Sequence, residues 1–290
     1  MRDFVITTDS NSDLPGEFIT QHRITIIPQY YGFEDEVYGD EKHLTPSQFY
    51  QKMREGLMPT SMANNPAVIH TKFETILKSG YNILHIAFSS QLSGSYNNIV
   101  VTANELLEDH PDAKIEVIDS CSASMGETLL IFRAFELKEE GKTLSEIKEL
   151  LEAEKKKIHV DFTVDDLQYL QKGGRISKTT AFVGSMVQIK PLLSVDQKGK
   201  LIPSGNARGR KKSFSALMER VIEKSGSNYG ATPICIIHGD CLEDAQHVAK
   251  LLKERAGCTN VIIGDVSPSI GTHAGPGILG ICYWDKSIPK

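Results

Sequence analysis

The sequence predicts an α/β protein of two domains: an N-terminal three-layer α/β/α unit with a mainly parallel sheet, and a C-terminal α/β unit with a mixed sheet. Three observations carry this reading. Short β-branched runs alternate with amphipathic helical patterns through the first half of the 290 residues, as in a parallel sheet covered on both faces. Near residue 158 the pattern changes: Val160-Asp-Phe-Thr-Val164 alternates, and a hairpin signal, Asp196-Gln-Lys-Gly199, follows. Small polar turns follow early strands at Asp9, Ser89 and Asp119, at the carboxyl edge where such sheets hold ligands. The expected domains are residues 1–157 and 158–290.

In the N-terminal half, Phe4 to Thr8 reads as a strand, followed by the cap-rich turn Asp9-Ser-Asn-Ser-Asp13. Leu14, Phe18 and Ile19 fall at helical spacing. Ile24 to Gln29 is a second strand. Thr45 as N-cap and Pro46 as the first helical residue open a helix to about Glu55. Pro59-Thr-Ser-Met-Ala-Asn-Asn-Pro66 reads as a loop, and Pro66 opens a helix with the stripe Phe73, Ile76 and Leu77. Ile83 to Phe88 is a buried strand, breaking into Ser89-Ser-Gln-Leu-Ser-Gly-Ser-Tyr96 with a helix expected from Ser93. Ile115 to Ile118 is a strand, and Thr128 to Glu140 a helix closed by Gly141. Thr143 and Glu146 form a capping box for the next helix.

In the C-terminal half a short helix at Leu167 to Gln171 stops at Gly173-Gly174, and Thr179 to Gln188 reads as an apolar helix. Leu192 to Val195 and Lys200 to Pro203 flank the hairpin turn. Phe214 to Lys224 and Glu243 to Arg255 are helices; Ile234 to Ile237, Val261 to Ile263 and Ile278 to Trp284 are strands.

Composition narrows the function. A net charge of −5 argues against a nucleic-acid partner. Five scattered cysteines without CxxC suit reduced thiols rather than a disulfide framework or a zinc site. The histidines lack metal-ligand spacing, so no metal is expected. The N-terminus turns polar too quickly for a signal peptide, and no apolar run approaches the ~20 residues of a membrane helix. A cytoplasmic protein is expected.

Three stretches point to chemistry. The turn around Ser93 places hydroxyls, Gly94 and a helix N-terminus together, a site for an anion of carboxylate or phosphate size; alone it could also be a plain capped helix start. Thr60-Ser61 adds a hydroxyl that could equally make an ordinary turn. Gly271-Thr-His-Ala-Gly-Pro-Gly277 reads as a stiff glycine-rich loop presenting His273. Arg175, after the Gly173-Gly174 corner, could form an ion pair or clamp an anion. Arg208 opens a basic run that is either a solvated face or a docking patch for an acidic partner. Gly275-Pro-Gly-Ile-Leu-Gly280 matches a dinucleotide fingerprint, but no helix or downstream acid follows. No Walker-type ATP motif occurs. A nucleophile elbow at Ser93 lacks its first glycine.

Taken together, Thr7-Thr-Asp-Ser10, Thr60-Ser61, Ser89 to Tyr96, Gly173-Gly-Arg-Ile-Ser177 and Gly271 to Gly277 resemble the DegV family of bacterial fatty-acid-binding proteins. The resemblance covers essentially the whole chain. Two positions depart from it: Met62-Ala-Asn-Asn-Pro66 lacks the usual glutamine, and Ser95 stands where many relatives have threonine. The resemblance implies a long-chain fatty acid held between the two domains as bound ligand, with no cofactor. It further implies a separate ATP-binding fatty acid kinase subunit as partner, which phosphorylates the carboxylate for phospholipid synthesis. Carried over to this chain, Ser61, Ser93, Gly94, Ser95 and His273 hold the carboxylate. Arg175 and His273 assist phosphoryl transfer; from its basic run, not from the resemblance, Arg208 is expected as a partner or phosphate contact. Transient membrane contact is left open. The competing reading is a stand-alone serine-type hydrolase or small-molecule phosphotransferase, with Ser93 and His273 as its catalytic pair. A third is a lipid-binding sensor or regulator.

Overall fold

The computed structural model describes residues 2–177, 189–226 and 232–286. The apolar helix expected over Thr179 to Gln188 lies outside the described residues. The N-terminal sheet is parallel, with strand order β2-β1-β6-β7 from Thr25–Ile27, Phe4–Asp9, Asn82–Ala87 and Ile115–Asp119. Helices α3 (Pro66–Lys78) and α4 (Ser95–Asp109) cover one face, packing Ile69, Phe73, Leu77 and Ile99 against Ile27 and Ile83. Helices α1 (Gly16–His22), α5 (Met125–Glu139) and α6 (Leu144–Glu154) lie on the other. Both expected caps form: Thr45 with Gln48, and Thr143 with Glu146.

The C-terminal sheet is mixed, in the order β10-β9-β8-β13-β11-β12. Its strands, from β8 to β13, are Ile158–Thr163, Ile189–Val195, Leu201–Arg208, Ile234–His238, Val261–Asp265 and Leu279–Trp284. Only β11 and β12 pair in parallel. Helices α8 (Arg210–Ser225) and α9 (Leu242–Ala256) cover its outer face through Phe214, Leu217, Val248 and Leu252. The short helix α7 is Gln168–Lys172, and α10 is Pro268–Ala274.

Helix α5 joins the two halves. It contacts β1 and β6 on one side and β8, β11 and β13 on the other. Seven consecutive residues from Met125 to Ile131 are buried, including Glu127. One apolar cluster therefore runs from Ile6 and Ile86 through Leu129 and Leu130 to Val160 and Phe162. A helix buried on both faces loses the one-sided stripe that periodicity detects.

Three expectations need correction. Thr60-Ser61 is not in a loop: Thr60–Met62 forms β5, which pairs with β3 (Tyr30–Phe33) beside β4 (Glu36–Tyr38). Aromatic strand formers supply the reason, since Tyr31, Phe33 and Tyr38 pack on Phe49 of α2 (Pro46–Arg54). Helix α4 begins at Ser95 rather than Ser93, because the Ser93 hydroxyl accepts from the Ser95 N–H outside the helix. His273 is not in a loop but in the last turn of α10, opened by Pro268. Gly271 lets α10 approach α2, for a Cβ there would lie 2.6 Å from the Tyr50 hydroxyl. Gly275 and Gly277, with φ of 76° and 82°, then turn the chain into β13.

Candidate functional site

The turns after β1, β6 and β7 are tied together by carboxylates. Asp9, ending β1, accepts from the N–H groups of Asn11 (2.9 Å) and Phe88 (2.8 Å). Asp119, ending β7, accepts from the N–H groups of Ser90 (3.2 Å) and Cys121 (3.0 Å). The turn after β6 then coils on itself, with the Leu92 and Ser93 N–H groups donating to the Ser89 carbonyl. On its far side the Ser89 hydroxyl donates to the Gly199 carbonyl in the β9–β10 turn. The N-terminal turn is thus fastened to the C-terminal hairpin.

Between the two sheets lies a cavity of about 190 Å³. Much of its wall is apolar, with Phe88, Val160, Phe162, Leu170, Val195 and Ile237 contributing. Of the residues expected from sequence, the structure brings Ser61, Ser93, Gly94, Arg175 and His273 to this wall.

Ser61 and His273, 212 residues apart in the chain, meet at 2.6 Å between Oγ and Nε2. Contacts of α10 with β5, β3 and α2 hold the two elements together. Burial, and then the Arg175 charge, lowers the His273 pKa to about 4, so the imidazole is neutral at pH 7. Nδ1 is buried without a hydrogen-bond partner. An unpaired buried N–H is the costlier orphan. The favoured tautomer, inferred from this bonding, therefore carries its proton on Nε2 and donates to Ser61. That leaves the Ser61 O–H free to donate into the cavity. Gly173 makes room for the ring, since a Cβ there would lie 2.0 Å from Nδ1.

Arg175 crosses from the C-terminal half to the turn before α4. Its Nε and Nη2 donate to the Leu92 carbonyl at 3.1 and 2.9 Å, and Nη1 donates to the Gly173 carbonyl at 2.5 Å. Burial depresses its pKa, and no carboxylate among the described residues offsets that. Three of its five N–H donors are used on carbonyls, leaving two for an anion.

Ser95 stands one layer back. It is fully buried, donates to Gln29 Oε1 at 2.7 Å, accepts from the Asn64 N–H at 3.2 Å and adjoins the Ser93 hydroxyl at 2.9 Å. It does not reach the cavity wall, and neither does Arg208, which ends β10 opposite Ile189. A Cβ on Gly94 would meet nothing within 4 Å, so the protein itself does not require glycine there. Asn11, Gln29 and Ser269 also line the cavity. Sequence alone singles out none of them: Asn11 falls in the cap-rich turn after the first strand and Gln29 at a strand end. Among the described residues no group of three or more His, Cys, Asp or Glu side chains could hold a metal ion, and no helix is long and apolar enough to cross a membrane. All five cysteines are free thiols.

These features define a class: a two-domain α/β protein enclosing a largely apolar cavity between a parallel and a mixed sheet, with hydroxyls, a neutral imidazole and a cation in its wall. The DegV family model, described as uncharacterised protein of the DegV family, matches residues 3–286, and the chain belongs to that family. It is 39% identical over 285 residues to a DegV domain-containing protein of Clostridium perfringens, covering 98% of each chain. Among solved structures it is similar to a DegV family protein of Ruminococcus gnavus refined with vaccenic acid. The TM-score is 0.87, at 26% identity, over 97% of this chain and 99% of that one. It is also similar to DegV of Bacillus subtilis, a fatty acid binding protein. There the TM-score is 0.85, at 29% identity, over 99% of this chain and all (100%) of the other.

Proposed function

We propose that this protein binds one long-chain fatty acid in the interdomain cavity and presents its carboxylate to a separate ATP-dependent kinase subunit, which forms an acyl phosphate for phospholipid synthesis. The observation that carries the reading is the division of the cavity wall: a largely apolar surface, and polar groups from Ser61, Ser93, His273 and Arg175, of which Ser61 and His273 are hydrogen-bonded to each other. Relatives of the same fold bind fatty acids. An acyl chain of about 14 methylenes gains on the order of 11 kcal/mol on burial, before the costs of ordering it. The headgroup contacts therefore need only orient the ligand.

In this reading the Ser61 O–H donates to the carboxylate, because its own acceptor position is occupied by His273. Ser93 and the backbone at Gly94 line the same polar stretch, and the missing Gly94 side chain leaves space for a carboxylate oxygen. Ser95 acts through Ser93, fixing it from behind. In phosphoryl transfer the carboxylate oxygen attacks in line while cations stabilise charge on the transferred group. The two remaining N–H donors of Arg175 would serve there, and His273 assists through Ser61, whose O–H it leaves free to donate. Arg208 is assigned to contact with the kinase rather than with the fatty acid.

A serine hydrolase has one observation in its favour, the Ser61–His273 contact. His273 pairs with Ser61, not with Ser93 as that reading expected. A histidine with a pKa of about 4 and no group orienting Nδ1 is a poor general base near neutral pH. Native mass spectrometry of the purified chain, with extraction of what it carries, tests the proposal. One fatty acid per chain is the expected result. A chain that arrives empty and stays empty with palmitate and oleate would refute it.

A further inference from the structure

The cavity has polar groups that the carboxylate end does not use. Asn11 and Ser269 both line it and are only 4% and 8% exposed. Asn11 Oδ1 is buried without a hydrogen-bond partner, and the Ser269 hydroxyl makes no hydrogen bond among the described residues. Of the other polar side chains lining the cavity, Ser124 donates to Asp13, and Gln29 accepts from Ser95 through Oε1 while its Nε2 is buried without a hydrogen-bond partner. The segments that carry Asn11 and Ser269 are joined directly. The Ser267 N–H donates to Asp13 Oδ1 at 3.1 Å, and each of the two residues stands two positions from that bond. Ser269 and His273 lie four residues apart on α10, hence on one helix face and about 6 Å apart along its axis. The unpaired groups are therefore displaced by about one helical turn from the Ser61–His273 contact.

A buried acceptor without a donor is unfavourable in an otherwise apolar wall. An alkyl chain cannot satisfy Asn11 Oδ1 or the Ser269 hydroxyl. A hydroxyl can satisfy both at once, donating to the amide oxygen and accepting from the serine. We propose that Asn11 and Ser269 form a second hydrogen-bonding subsite, one that reads a hydroxyl carried on the acyl chain a few carbons beyond the carboxylate. The inference rests on the fatty-acid reading of the cavity and names the substrate subclass it selects.

The experiment compares dissociation constants for palmitate and for a series of monohydroxypalmitates that differ only in hydroxyl position. They are measured on the full chain after removal of co-purified lipid. In an apolar cavity every hydroxyl weakens binding. With this subsite, one position or two adjacent ones should bind as well as palmitate or better, while the others bind about tenfold or more weaker. Asn11→Leu and, separately, Ser269→Ala should lower the ratio of matched-isomer to palmitate affinity about tenfold. If Asn11→Leu does not fold, as judged by its melting transition, Ser269→Ala decides. A uniform penalty at every position in the wild-type chain would overturn the subsite while leaving the fatty-acid reading intact; in that case water satisfies the two groups. Failure of palmitate and of every isomer to bind would overturn both.

Discussion

Two buried polar regions adjoin the cavity, one built from carboxyl groups and one around a cation. At the edge of the parallel sheet three carboxyl groups are packed together, with no cation paired to them among the described residues. Asp9 ends β1. Asp13 accepts from the Ser124 hydroxyl and the Ser267 N–H. Glu127 accepts from the Thr8 hydroxyl at 2.7 Å. Burial raises all three: Asp9 to about 6, Asp13 to about 7, and Glu127 well above the usual carboxylate range, with Asp9 adding to the rise in both others. The second region, at Ser61, His273 and Arg175, has a cation, a neutral imidazole and hydroxyls, and no carboxylate among the described residues. The difference teaches how a cavity of this kind can fix the direction of a carboxylate ligand. Donors and a positive charge attract the head at one place, and acidic groups disfavour it at the other. In the proposed function, orientation would rest on exclusion as much as on attraction.

The largest effect is expected at the cationic region. Arg175→Ala should lower phosphorylation of the bound fatty acid by a partner kinase more than a hundredfold, about 3 kcal/mol of transition-state stabilisation. The dissociation constant of the fatty acid should move less than threefold, since the apolar wall remains. Equal losses in both measurements would break the proposed division of roles. Next in size is Gly173→Ala. Its Cβ would occupy the place of the His273 ring, parting the imidazole from Ser61. Fatty-acid affinity should fall about tenfold in fluorescence displacement; an unchanged value would show that the Ser61–His273 contact does not shape the headgroup site.

The contrast between the two regions was unevenly legible in the sequence. The alternation of strands and helices, the change of pattern near residue 158 and the turns after β1, β6 and β7 were readable because each has a local signature. Ser93, Arg175 and His273 were singled out because hydroxyls, a lone arginine after two glycines and a framed histidine are local patterns too. The acidic region was not legible. Glu127 lies in a helix whose buried faces look both ways, and Asp13 looked like a cap residue; only packing turns them into buried acids. Strand β5 was missed for the same reason, because Ser61 takes its place by pairing with Tyr31, 30 positions earlier in the numbering. What brings Ser61 to His273 is a contact across the fold, and a single sequence has no local trace of it.

The acidic region yields the next prediction. The folded-state pKa of Asp13, about 7, lies above the ordinary aspartate value of 3.8. Between those values the native chain binds more protons than the unfolded one, so stability from this group falls as pH rises through the window. Asn can make the same two hydrogen bonds as a protonated Asp13, accepting from the Ser267 N–H and donating to Ser124. Asp13→Asn should therefore melt close to the wild type at pH 5 and a few degrees above it at pH 8, on the scale of about 2–4 °C per kcal/mol for a chain of this size. Asp9 and Glu127 remain in the variant, so part of the pH dependence persists. A gap that does not widen between pH 5 and pH 8, by calorimetry, would mean that Asp13 is not held protonated.

The smallest effect separates the two serines. Ser61 receives a hydrogen bond from His273 and has its own hydrogen free. The Ser95 hydrogen goes to Gln29, so in the Ser93–Ser95 contact it is Ser93 that donates, and it also accepts from the Ser95 N–H. Removing Ser61 deletes the proposed donor to the carboxylate and orphans His273 Nε2. Removing Ser93 deletes a group whose hydrogen is already used within the protein. Ser61→Ala should weaken fatty-acid binding about three- to tenfold, the worth of one hydrogen bond of about 0.5–1.5 kcal/mol. Ser93→Ala should weaken it about twofold, and the pair together should match the sum of the two free energies if the residues act independently. A larger loss for Ser93 than for Ser61 in isothermal titration would reverse the assignment and place the carboxylate against the turn before α4.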